Sequence, residues 1–199
     1  MLFNAMENFN LKLKSATEAL HKTVESTEAS HAIISPHVSL EVYRDYLKRT
    51  YAIHYAVEST VFPVVKNTIR DVNSRIKTGS IINDLTLMGN KPAVSDLTLL
   101  DDGYSPDVNF NLGVMYVAEG SVLGGQYILR NIKKALGEDV PCNFLNVYGE
   151  KTGQVWKDFL QQLNGYAETV SQSEQEKIIA GAIYGFKRVY AVFNHKNIQ

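Results

Sequence analysis

The length of 199 residues suits one domain, residues 1–199, with enough chain for a sizeable core. A hydrophobic fraction of 45%, a charged fraction of 21% and a formal net charge of −1 are ordinary for a globular protein in water, and give no electrostatic case for nucleic acid or a membrane surface. The single cysteine, Cys142, excludes an internal disulfide and a thiolate metal cluster, and suits a reducing cytoplasm.

Met1–Glu7 lacks a basic region followed by an apolar run, so no signal peptide is expected, and no apolar stretch approaches a membrane span. A first helix is expected from Phe9 to about Thr27, with Leu13, Ala16, Leu20 and Val24 forming a core-facing stripe. His21 borders that stripe. Lys14, two turns earlier, and Glu25, one turn later, share nearly the same face. The pattern breaks at His31–Pro36, which reads as a loop. Ser39 caps a second helix with Glu41 in its first turn, and an aromatic-rich run carries that helix towards Phe62-Pro63.

A third helical stretch is expected over Val64–Leu87, with a possible interruption at Lys77–Ser80. Gly89–Pro106 reads as a connection, long enough for part of it to be helical. The fourth helix, Asn109–Ala135, ends at Gly137 with Lys133 and Lys134 in its last turn. Gly149–Gly165 holds another helix with Trp156 and Phe159. Ser173-x-x-Glu176 reads as a capping box before a last helix, Lys177 to about His195, which carries Phe186. No alternating run, repeat or low-complexity tract is present, so the fold class is all-α.

The fourth helix is unusual in containing Gly120, Gly124 and Gly125 within six positions. Each interior glycine costs roughly 1 kcal/mol relative to alanine. Gly120 and Gly124 lie one turn apart on one face. A face without Cβ atoms has two uses: close packing against another helix, or a platform for a flat ligand with a bend in the helix.

No Walker loop, dinucleotide fingerprint, His-Glu-x-x-His motif or nucleophile elbow is present. Glu18-x-x-His21 and Glu28-x-x-His31 match half of a di-iron bundle's requirement. Their histidines stand about 15 Å apart along a continuous helix. A single histidine beside a glycine-faced helix fits a porphyrin instead, since the ring fills the equatorial positions and imidazole is a common axial ligand. Propionates would take cations or hydroxyls at the rim, with Lys14 first and Lys157, Lys187, Arg188 and Tyr116 after it.

Leu20-His21-Lys22-Thr23-Val24-Glu25, preceded by Lys14-Ser15-Ala16-Thr17, resembles the proximal helix of haem oxygenases. Tyr116-Val117-Ala118-Glu119-Gly120-Ser121-Val122-Leu123-Gly124-Gly125-Gln126 resembles the distal helix of the bacterial, biliverdin-producing branch. The likeness runs in order from about Leu11 to Phe193, and these two motifs are its specific part. It implies an all-helical fold with a glycine-kinked distal helix, and haem as both cofactor and substrate. By resemblance His21 is the iron ligand, Gly120 and Gly124 lie over the haem with Ser121 between them, and Lys14 binds a propionate. Glu25, Tyr116, Gly125, Lys157 and Phe186 complete the expected cofactor-binding set.

The resemblance further implies cleavage of haem by O2 to biliverdin, carbon monoxide and iron. Electrons would come from a ferredoxin, flavodoxin or reductase, as no flavin, nicotinamide or iron–sulfur motif is visible. Mammalian-type members carry an aspartate where this chain has Ser121, which puts the route of protons in question. The alternatives are a haem-binding module without turnover, and a non-haem protein of the same fold: thiaminase-like, quinone-cofactor-synthesising or a di-iron oxidase.

Overall fold

The computed structural model describes residues 8–90, 100 and 103–195 of the chain, and those residues form eight α-helical segments with no strand among them. Helix α1 spans Phe9–Glu25 behind Asn8, whose side chain accepts the Asn10 N–H at 3.0 Å. Its buried stripe is Phe9, Leu13 and Thr17, continued by half-buried Leu20 and Val24. Ala16, expected on that stripe, is exposed. It lies about 100° round the helix from Thr17.

The expected loop at 31–36 begins as a short helix, α2, Glu28–Ile33, capped by the Thr27 side chain. Ser39 caps α3, Leu40–Ala56, as the sequence suggests. That helix continues through a π-helical turn, Val57–Val61, into α4, Phe62–Val65. The wider turn precedes Pro63, which has no N–H to offer a helical ladder.

The helical stretch expected over Val64–Leu87, with its interruption at Lys77–Ser80, is broken earlier and more widely than that. After α4 come turns, a 3-10 turn at Val72–Arg75, and only then α5, Thr78–Leu87. The cause is burial of charge. Arg75 and Lys77 are both wholly inaccessible to solvent, two residues apart, and no α-helix turns both positions to one side. The Glu58 carboxylate, from the π turn, accepts the Lys77 N–H at 2.7 Å and the Thr78 N–H at 3.2 Å. It therefore serves as the cap that α5 lacks locally.

Helix α6, Val108–Leu136, is the longest element and is helical through all three glycines. Asp107 caps it through bonds from Asn109 and Phe110, and Gly137, at φ +100°, ends it. A 3-10 turn at Gly149–Lys151 precedes α7, Thr152–Ala167, and α8 spans Gln172–Asn194. The capping box of α8 is Ser171 with Glu174, not Ser173 with Glu176. Ser171 holds the extended cap conformation, φ −68° and ψ 162°, whereas Ser173 is already inside the helix.

The α6–α8 contact is where glycine permits close packing. A Cβ on Gly113 would stand 1.9 Å from the Ile178 carbonyl oxygen, and one on Gly181 1.9 Å from that of Phe110. The backbones touch through both positions. Arg49 of α3 closes the far end of α8, its Nη1 donating to the carbonyls of Val192 at 2.6 Å and His195 at 2.9 Å. Asp84 of α5 accepts the Asn143 and Phe144 N–H groups, both at 2.9 Å, and fixes the chain leading into α7.

Candidate functional site

On α1, His21 is 58% exposed at its side chain. Its Nδ1 lies 3.3 Å from Glu25 Oε2, one turn on, which leaves Nε2 as the nitrogen available for an axial bond. The buried Phe186 of α8 meets the imidazole edge-on, with centroids 5.7 Å apart at 69°. A carboxylate on one side and an aromatic edge on the other fix the ring of an otherwise solvent-facing histidine. Lys14 is exposed on the same helix face, two turns earlier.

On α6 the glycines divide by use. Nothing stands within 4 Å of a Cβ built on Gly124. A Cβ on Gly120 would meet the edge of Trp156, at 3.4 Å from Cη2 and 3.8 Å from Cζ3. Gly125 is buried against Leu145, whose carbonyl oxygen lies 3.6 Å from a built Cβ, so it faces away from Gly120. Packing of bare helix faces therefore occurs at Gly113 and Gly181, and Gly124 is open.

Tyr116, one turn before Gly120, is half-buried, and the Thr17 hydroxyl, one turn before His21, donates to the Leu13 carbonyl of its own helix at 2.9 Å. Burial pushes the Tyr116 phenol up, and the neighbouring Thr17 hydroxyl opposes that shift. Trp156 leans on Tyr116 with centroids 5.5 Å apart at 45°. Trp156 of α7 thus stands beside Tyr116 and Gly120 of α6, and Phe186 of α8 stands beside His21 of α1. Lys157, next to Trp156 on α7, is exposed.

Ser121 is exposed, and its hydroxyl donates to the Ala118 carbonyl at 2.7 Å. It shares a cavity of about 10 Å³ with Tyr46, Val122, Phe144 and Tyr148. That is about the space for one water centre. The Tyr148 hydroxyl is buried without a hydrogen-bond partner.

Behind the glycine face lies a buried group of charges that the sequence reading missed. Glu119, immediately before Gly120, is 1% exposed. Its Oε2 accepts from Arg75 Nη1 at 2.7 Å, and its Oε1 accepts from Lys77 Nζ. Arg75 also donates to Asp71 at 2.7 Å and lies 5.4 Å from the Phe159 ring centroid. Lys77 lies 5.3 Å from the Tyr148 ring centroid. His54, 2% exposed, is pushed well below the ordinary histidine value of 6.5 by burial and then by Lys77. One signal was available: Glu119 is the only charged residue in the apolar run Leu112–Val122, and a lone charge in a buried stretch requires partners.

Among the described residues no three His, Cys, Asp or Glu side chains gather as a metal-ligand set. Glu18 instead pairs with Lys22 at 2.7 Å, and His31 lies on the separate helix α2. The di-iron alternative loses its ligands. No helix among the described residues is long and apolar enough to cross a membrane.

The scaffold is all-helical among the described residues, and comparison with known proteins gives its class. The family model described as heme oxygenase matches residues 7–74 and 100–195. The chain belongs to the haem oxygenase family, whose members are haem-degrading oxidoreductases. Its fold is similar to the haem oxygenase of Neisseria meningitidis, a structure described as NO- and CO-bound. The identity is 23% and the TM-score 0.73, over 94% of this chain and 90% of that one. It is likewise similar to the haem oxygenase of Leptospira interrogans, at 18% identity and TM-score 0.74, over 94% and 99% of the two chains. Haem oxygenase-1 of the cyanobacterium Synechocystis, in complex with haem, matches at 16% identity and TM-score 0.74, over 94% and 91%. No curated protein matches the chain significantly in sequence.

Proposed function

We propose that the chain, as one cytoplasmic domain, binds haem between α1 and α6 and cleaves it with O2 to biliverdin, carbon monoxide and iron. The observation that carries the site assignment is the open carbon of Gly124, on the same α6 face as Tyr116, whose phenol feels the Thr17 hydroxyl of the His21 helix. The residues present fit a porphyrin. His21 offers Nε2, Phe186 supplies an apolar edge beside it, and Gly124 leaves room above a ring plane. Lys14 and the Tyr116 hydroxyl suit the two propionates, and Lys157 extends the basic rim.

Haem, when bound, supplies the iron that handles oxygen and is itself the molecule consumed. The chain's residues hold and orient it. Glu25 at Nδ1 keeps the imidazole turned and makes Nε2 the stronger donor. With haem bound, the open backbone at Gly124 would leave room for a small molecule and the Trp156 edge at Gly120 would not, which would give the chain a steric basis for choosing one meso carbon. The Ser121 oxygen, having donated its proton to Ala118, keeps lone pairs that can orient a water at the edge of this face. A ferredoxin, flavodoxin or reductase would supply electrons.

Haemin titration tests the reading. A Soret band, followed by a biliverdin spectrum and carbon monoxide on adding reductant and oxygen, is the expected result. A Soret band with no ring opening would identify a haem carrier. No band at all would return the chain to the non-haem enzymes of this fold.

A further inference from the structure

Resting on the haem reading above, we propose that Trp156 is the stop that sets how far a planar ligand can slide along α6, and so helps decide which ring edge faces the glycines. Its benzo edge stands on the bare carbon of Gly120, while one turn on, at Gly124, the same face is empty. A flat molecule lying on Gly124 and moving towards the start of α6 meets that indole edge.

The stop is braced from behind. Trp156 stacks on Phe159, with centroids 5.7 Å apart at 26°. Phe159 is fully buried beneath the Arg75 guanidinium. Arg75 also donates to the carbonyl of Val155, the residue before Trp156, at 3.4 Å. Arg75 is in turn held by Glu119, the residue before Gly120. The indole and the glycine it touches are therefore fixed to each other through one buried ion pair. Glu119 and Arg75 are positioning residues in this account, since neither reaches the glycine face.

Trp156 is the chain's only tryptophan, so its emission reports this contact alone. The test compares wild type, Trp156→Phe, Trp156→Ala and Glu119→Gln by haemin titration, biliverdin isomer analysis and melting of the haem-free protein. A further variant, Glu119→Gln/Lys77→Met, removes the lysine charge that the single change leaves unpaired, in case Glu119→Gln alone does not fold. In wild type, haemin is expected to quench the Trp156 emission. Trp156→Ala is expected to keep the axial-histidine spectrum and shift product from one biliverdin isomer to a mixture, with Trp156→Phe between the two. The Glu119 variants are expected to red-shift Trp156 emission without ligand and to mix isomers in the same direction.

Unchanged isomer composition in both Trp156 variants, with haem bound and cleaved normally, overturns the role of Trp156 and leaves the haem reading intact. Lowered melting of the Glu119 variants with unchanged emission and isomer would reduce the ion pair to a structural role. A wild-type protein that binds no haemin overturns the haem reading itself.

Discussion

Replacing Gly124 by alanine separates the two uses that a bare helix carbon can have. Inside a helix alanine is favoured over glycine by about 1 kcal/mol. At Gly124 nothing within 4 Å opposes the new methyl, so the gain should be close to complete. For a chain of this length, about 1 kcal/mol corresponds to a rise of about 2–4 °C in melting temperature. At Gly120 the methyl would touch Trp156 at 3.4 Å, an ordinary contact, so a smaller gain is expected there. In the haem complex the same Gly124 methyl would project to where oxygen must approach the ring. The paired assay is thermal melting of the haem-free protein with single-turnover biliverdin formation. Raised or retained melting with lost or redirected ring cleavage is expected. Clearly lowered melting with normal cleavage by the folded fraction would refute the reasoning and assign this glycine to helix packing.

The opposite outcome is expected at Gly181. Its Cβ would collide with the Phe110 carbonyl, so Gly181→Ala should lower the melting midpoint by an overpacking cost of about 1–3 kcal/mol or more. Asp107→Ala removes the cap of the longest helix and should cost roughly 0.5–2 kcal/mol in urea unfolding, with Asp107→Asn retaining most of it. The Asp107 carboxyl is held low by the Lys177 bond, then by the backbone N–H groups of Asn109 and Phe110. Its contribution is therefore present above the ordinary carboxylate range and lost as pH falls through the lower folded value. His54 behaves differently. Its folded value lies well below 6.5, so the unfolded chain takes the proton first as pH falls. Stability should decline below about pH 6.5 by up to about 1.4 kcal/mol per pH unit from this group, and urea midpoints of His54→Phe should lose that component.

Much of the scaffold could be read from the chain because its long helices obey local rules. Helices α1, α3 and α6 begin at capping residues or apolar periodicity, and Gly137 marks an end that only a positive φ satisfies. Where two local patterns competed, sequence could not choose. The capping box is expected at Ser173-x-x-Glu176, while the same pattern two residues earlier, Ser171-x-x-Glu174, goes unread. The earlier one forms, and the Gln175 amide then bonds the Ala167 carbonyl at 2.8 Å across the turn.

Non-local charge pairing was not legible. Nothing local marks Arg75 and Lys77 as buried, and burying both against Glu119, more than forty positions away, puts turns where helix was expected. Trp156 is placed on its helix by the sequence, but its contact with Gly120 depends on how α7 meets α6. His21 and the glycines stand out in the sequence as candidates because they are chemically odd for their places: a titratable group at the border of an apolar stripe, and helix breakers inside a helix. The bracing of His21 by Phe186 needed the fold, since α8 lies far along the chain.

The most direct test of the account is the axial ligand. Ferric haem bound to His21→Ala should lose the axial-histidine spectrum and most turnover, and added imidazole should restore part of both. His54 is the rival, but it is 2% exposed and packed against Phe144 with ring centroids 5.4 Å apart, so His54→Ala should leave the signature in place. An axial-histidine signal that survives His21→Ala and disappears in His54→Ala would contradict the site described here.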